Sequence, residues 1–184
     1  MIPYSVLHEA IKSHDIDVVK AYRKSIKDKS QVRIITDAKD EHGYNALILA
    51  CVEGNIDMVK TLIDEWGCKA QPDAPYRHTP LRGAALLGHH HIIELLLSCG
   101  GDPNAVSVGN RTPLMGACFL RDVSTTTTTS SSKMADISRK CVKILLNDPR
   151  TDPHLVNDFG ETALDLAKRR GYAESIQLLE AHAQ

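Results

Sequence analysis

Three consecutive histidines, His89-His90-His91, with Glu94 just behind them, come nearest in this chain to a metal site. Imidazole and carboxylate are donor types that zinc accepts. Consecutive side chains on a helix diverge by about 100°, so the three rings cannot face one ion, and His90 with Glu94 is the pair spaced to hold one. The plainer reading is that these histidines sit at a turn and an exposed helix start. The five cysteines, at 51, 68, 99, 118 and 141, form no Cys-x-x-Cys pair, and their number is odd. They read as free thiols, with nothing nearby arranged to depress a thiol pKa. A phosphate-cradling Gly-rich loop, an H-E-x-x-H helix and a G-x-S-x-G elbow are all absent from the sequence, so no catalytic residue, metal or cofactor is expected.

The elements that would carry these residues follow from an internal period. His78-Thr79-Pro80-Leu81-Arg82-Gly83-Ala84-Ala85 recurs as Arg111-Thr112-Pro113-Leu114-Met115-Gly116-Ala117-Cys118, an offset of 33 residues. Weaker copies begin at Asn45, at Thr162 and at Ser5. Behind each copy runs an apolar stripe at helical spacing, as in Met58-Val59 with Leu62-Ile63, or Ile92-Ile93 with Leu95-Leu96-Leu97. Gly54, Gly88 and Gly171 punctuate the units internally, so each unit reads as helix, tight turn, helix and loop. Thr or Ser caps the first helix, Pro fits its first turn, and the small Ala pair allows close helix packing.

The chain of 184 residues has 22 Lys plus Arg against 23 Asp plus Glu, a net charge of −1. That balance gives no reason to expect nucleic acid as a ligand. No apolar run approaches the ~20 residues of a membrane helix, and the N-terminus carries no secretory pattern. A monomer in the cytoplasm or nucleus, without membrane contact, is the expectation.

The run HTPLRGAALLGHHHIIELLLSCGGDPNA resembles the ankyrin-repeat family, whose signature is Thr-Pro-Leu-His-x-Ala-Ala at a period of 33. The resemblance implies an all-α solenoid of stacked helix-turn-helix units with hairpin-like connecting loops. It divides the chain, as one domain, into units at about 1–39, 40–73, 74–106, 107–156 and 157–184, the outer two degenerate as caps. His89 falls at the family's usual Gly-His turn. Arg82 and Met115 stand where the signature has His, which puts that side chain's usual hydrogen bond in doubt. Leu96 with Asp102-Pro103-Asn104 loosely resembles a site of asparagine hydroxylation in ankyrin domains, although Pro103 replaces a preferred branched aliphatic.

Two departures from the period matter. Surplus residues in the fourth unit include the run Ser124 to Ser132, read as part of a disordered insertion at 123–136. A tolerated loop expansion is the plain account, and phosphorylation beside Arg121 and Lys133 is the alternative. The stretch from Arg23 to Asp40 mixes both signs of charge and reads as a solvated connection.

Ankyrin stacks resemble a curved palm that takes protein partners on its concave side. The positions that vary between units there are Val52, Leu86, Leu87, Phe119 and Leu120 on the inner helices. On the connecting loops they are Tyr44, Tyr76, His78, Arg111 and Phe159. An apolar strip rimmed by Arg111, Lys168 and Arg169 would suit a protein with acidic residues beside an apolar anchor. The expected function is a non-catalytic scaffold or adaptor; the alternative is an inhibitory or regulatory subunit of a kinase- or proteasome-type enzyme.

Overall fold

A computed structural model describes residues 4–71, 78–120 and 131–182. Among these residues eleven helices occur and no strand, the nearest to one being a single bridge between Ser107 and Arg111 in a connecting loop. Five helix pairs follow one another: α1 (Tyr4–Lys12) with α2 (Ile16–Ser25), α4 (Ala46–Glu53) with α5 (Ile56–Asp64), α6 (Pro80–Leu86) with α7 (His90–Ser98), α8 (Pro113–Cys118) with α9 (Ser131–Asn147), and α10 (Ala163–Arg170) with α11 (Ala173–His182). The first members stack in the order α1, α4, α6, α8, α10, and the second members stack alongside them. The fold is an all-α repeat solenoid.

The inner helices start alike because the same chemistry starts them. Asn45 Oδ1 accepts from Ile48 N at 2.9 Å, Thr79 Oγ1 from Arg82 N at 3.2 Å, and Thr112 Oγ1 from Met115 N at 3.3 Å. Thr162 forms a reciprocal capping box with Asp165. Each cap satisfies an orphan N–H and fixes where its connecting loop joins the stack. Buried alanines at 46, 50, 84, 85, 117, 163 and 167 let these helices pack closely. The outer helices bury stripes, such as Met58, Val59 and Leu62, or Ile92, Ile93 and Leu96. The apolar interior therefore runs along the stack rather than gathering at one centre.

The turns lock neighbouring units. Gly54 has φ +77°, a left-handed conformation, and a Cβ there would lie 2.5 Å from the His89 ring. That ring comes from the next unit, with Nε2 3.1 Å from Val52 O. Gly88, at φ +79°, faces Ile137 so closely that a Cβ would collide with it. Between the last two loops, Asn104 Oδ1 accepts from Asp152 N at 2.8 Å and Asn104 Nδ2 donates to Arg150 O at 2.6 Å. The asparagine considered for hydroxylation thus has its amide engaged on both sides.

Two parts of the chain depart from the expectation. The stretch read as a solvated connection contains α3 (Lys29–Asp37), started by Asp28, whose carboxylate accepts from Ser30 N at 2.8 Å. It packs on α1 and α4 and buries Val32, Ile35 and Thr36, an apolar face concealed among charges. The insertion read as 123–136 is helical from Ser131 onward. There Asp136 pairs with Arg139 at 2.6 Å and Lys140 at 2.9 Å, and Ser138 meets Ser175 of α11 at 3.0 Å. Residues 123–130, most of the Ser/Thr tract, lie outside the described residues.

Candidate functional site: a concave groove across four units

One side of the inner helices α4, α6, α8 and α10, together with the loops before them, lines a groove of about 470 Å³ that crosses four units. Ile48 and Val52 of α4 form one wall; Leu86 and Leu87 lie at the end of α6; Met115 and Phe119 come from α8; Leu166, Arg169 and Arg170 come from α10. Tyr44, His78, Arg111, Asn157 and Glu161 reach in from the loops. Tyr44 and His78 meet edge to face, with ring centroids 4.9 Å apart.

The two ends of the groove differ. At the α10 end, charge is satisfied internally. Glu161 takes Arg169 Nη1 at 2.7 Å and Asn157 Nδ2 at 3.0 Å, while Arg170 Nη2 donates to Leu120 O at 2.5 Å. The guanidiniums of Arg169 and Arg170 lie 5.2 and 4.4 Å from the Phe119 ring centroid, within cation–π range. In the middle, Arg82 is only 9 % exposed, and its Nε is buried without a hydrogen-bond partner among the described residues. Burial, and then the neighbouring Arg111 charge, pull Arg82 below the ordinary arginine pKa, with Tyr44 opposing. Gly116 is what lets α8 come this near: a Cβ there would lie 3.3 Å from Leu86 N and 3.5 Å from Arg82 Cγ.

Of the residues selected from sequence, Tyr44, Val52, His78, Leu86, Leu87, Arg111 and Phe119 come together in this groove, and Phe119 is 40 % exposed. Leu120 also touches it but is 1 % exposed, because its side chain turns into the stack; it offers a partner almost nothing. Phe159 is 73 % exposed on its loop and does not line the groove. Tyr76 lies outside the described residues. The expected cationic rim is also different: Lys168 pairs with Glu180 of α11 at 3.3 Å, and Arg169 with Glu161. Sequence reasoning missed Arg82, Ile48, Met115 and Arg170 as groove residues. For Arg82 and Met115 the signal was present, since both stand where the repeat signature has His and so depart from it at the same register.

The histidines and thiols lie elsewhere. His91 Nδ1, rather than His90, approaches the Glu94 carboxylate, at 3.7 Å, and the rings of His90 and His91 lie 4.0 Å apart. No group of three or more His, Cys, Asp or Glu that could hold a metal occurs among the described residues. Cys51, Cys118 and Cys141 are buried; Cys99 is exposed. Burial pushes the thiols of Cys51 and Cys118 well up, and those of Cys68 and Cys141 to about 12, the opposite of what a nucleophile needs.

Residues 42–75 and 76–108 match the ankyrin repeat family, the second and third units of the stack. The chain belongs to the ankyrin-repeat proteins. It is 30% identical over 138 residues to the ankyrin repeat and KH domain-containing protein mask-1 of Caenorhabditis elegans, covering 74% of this chain and 5% of that protein. It is 26% identical over 148 residues to the putative ankyrin repeat protein YahD of Escherichia coli K12, covering 78% of this chain and 65% of YahD. A shorter stretch, 66 residues at 38% identity, is similar to the 26S proteasome non-ATPase regulatory subunit 10 of Dictyostelium discoideum; it covers 36% of this chain and 28% of that subunit. The chain therefore spans less than two thirds of the length of each.

Proposed function

We propose that this chain is a non-catalytic protein-recognition module that holds a partner protein in the concave groove of its repeat stack. Ankyrin repeats generally mediate protein–protein interaction, and one observation carries the concave assignment: the groove leaves apolar side chains, Phe119 above all, at a surface the stack does not need to cover. Removing that surface from water supplies affinity, and a stack of mutually braced units loses little conformational entropy on binding. Its partner works in the cytoplasm or nucleus, and the chain acts as a monomeric adaptor.

Quantitative affinity isolation from the native cell tests this reading, with wild type beside a Leu87→Asp, Phe119→Asp double variant. Both positions are at least partly solvent-accessible, so the variant should retain the wild-type helical circular dichroism. The proposal expects the partners to be lost from the folded variant, and equal recovery by both proteins would refute it. The similarity to a proteasome regulatory subunit supports a second reading, a stoichiometric modulator of an enzyme. A change in the rate of the isolated partner on adding pure protein would favour modulation; no change would favour an adaptor.

A further inference from the structure

The groove has a charge balance unlike that of the whole molecule. Four arginines line it, at 82, 111, 169 and 170, against one described carboxylate, Glu161, in a chain whose net charge is −1. Arg169 takes the Glu161 carboxylate, and Arg170 takes a backbone carbonyl and the Phe119 ring. Arg111 is exposed to solvent, which leaves Arg82, only 9 % exposed and with its Nε buried and without a hydrogen-bond partner among the described residues. Nothing in the stack requires a cation there: the equivalent position of the fourth unit is Met115, buried and apolar. A desolvated guanidinium without a counter-charge is costly, and the cost is relieved when a carboxylate arrives. The guanidinium fork matches a carboxylate in plane and spacing.

We propose that Arg82 anchors an aspartate or glutamate side chain of the partner, with apolar partner residues beside it on Leu86, Leu87 and Phe119. The anchor is a side chain rather than a chain terminus because the groove continues past Arg82 in both directions, to Ile48 and Val52 on one side and to Phe119 and Leu166 on the other. Arg111 lies near enough to Arg82 for their charges to interact and strengthens the field felt by the incoming carboxylate. This assignment rests on the concave-groove reading and deepens it, by stating the chemistry the partner must present.

The test is selection of a randomised twelve-residue peptide library, flanked at both ends by constant sequence, against the full chain, followed by fluorescence-polarisation titration of the enriched peptides. The expected result is enrichment of an Asp or Glu next to bulky apolar residues. Changing that peptide residue to Asn or Gln should weaken binding about tenfold to wild type and not at all to Arg82→Met, with both losses coupled through one contact. Arg82→Met is expected to fold, since it removes an unpaired buried charge. Peptides that lose binding with Leu87→Asp, Phe119→Asp but carry no acidic residue and ignore Arg82→Met would overturn the Arg82 assignment while leaving the groove reading intact. Binding that requires a free C-terminus would overturn it too. A library that yields no binder, or binders indifferent to both variants, would overturn the groove reading and this inference together.

Discussion

Arg82 is capped, packed and buried as if it were an ordinary core residue, yet its buried Nε has no hydrogen-bond partner among the described residues. Such a residue lowers the stability of the free protein. Arg82→Met, which replaces the apolar stem and removes the guanidinium, should raise the denaturant midpoint by an amount equivalent to about 1 kcal/mol. Urea titrations of both proteins check this, and a drop in the midpoint would mean that the guanidinium makes a stabilising contact. Histidine gives a prediction of its own. Burial holds His8 and His89 below the ordinary histidine pKa; for His8, Asp40 opposes burial, and for His89 the Val52 hydrogen bond does. Below about pH 6.5 the unfolded chain therefore binds protons that the folded chain refuses. Stability from these groups is complete above that pH and is lost as pH falls from 6.5 toward their depressed folded-state values. Urea midpoints should drop between pH 7 and pH 5, and less steeply in His89→Gln, which keeps a donor for Val52 O.

At the scale of elements, what was legible in the sequence was whatever repeats. The caps at Thr79, Thr112 and Thr162, the Ala pairs and the stripes of the outer helices all follow from comparing units, because each does the same work in each. What does not repeat was hidden. Helix α3 lies outside the five helix pairs, and its buried face is only Val32, Ile35 and Thr36 among four charged residues from Asp28 to Asp37, so the charges dominated the pattern. The start of α9 was masked similarly: hydroxyl residues run into the helix, and the Asp136 pairs with Arg139 and Lys140 that stabilise its first turns draw on positions assigned to the insertion. Groove membership was legible where it depends on register, as at Leu86 and Leu87. Exposure was not legible: Leu120 lines the groove as Phe119 does, yet it is buried while Phe119 stays open to solvent. The burial of the α3 face has a measurable consequence. Ile35 is 5 % exposed, so Ile35→Ala should cost about 3 kcal/mol in chemical denaturation, whereas a solvated connection would lose under about 0.5.

For the whole molecule, the scarcity of aromatic residues has a structural sense. Five Tyr, two Phe and one Trp are too few to fill one large core, and the stack does not build one. Its interior is a series of small interfaces between neighbouring units, which leaves the concave side free of structural duty. On that side the last unit is closed by its own network of Asn157, Glu161 and Arg169, while the middle units present apolar walls and an unanswered arginine. The proposed binding therefore falls on one face of the stack and on particular units within it. Amide hydrogen exchange of the chain, alone and saturated with a partner recovered by affinity isolation, tests that placement most directly. Slowed exchange is expected in α6, α8 and the loop residues 40–45 and 107–112, with the outer helices α5, α7 and α11 unchanged. Protection confined to the outer helices, with the groove exchanging as in the free protein, would contradict it.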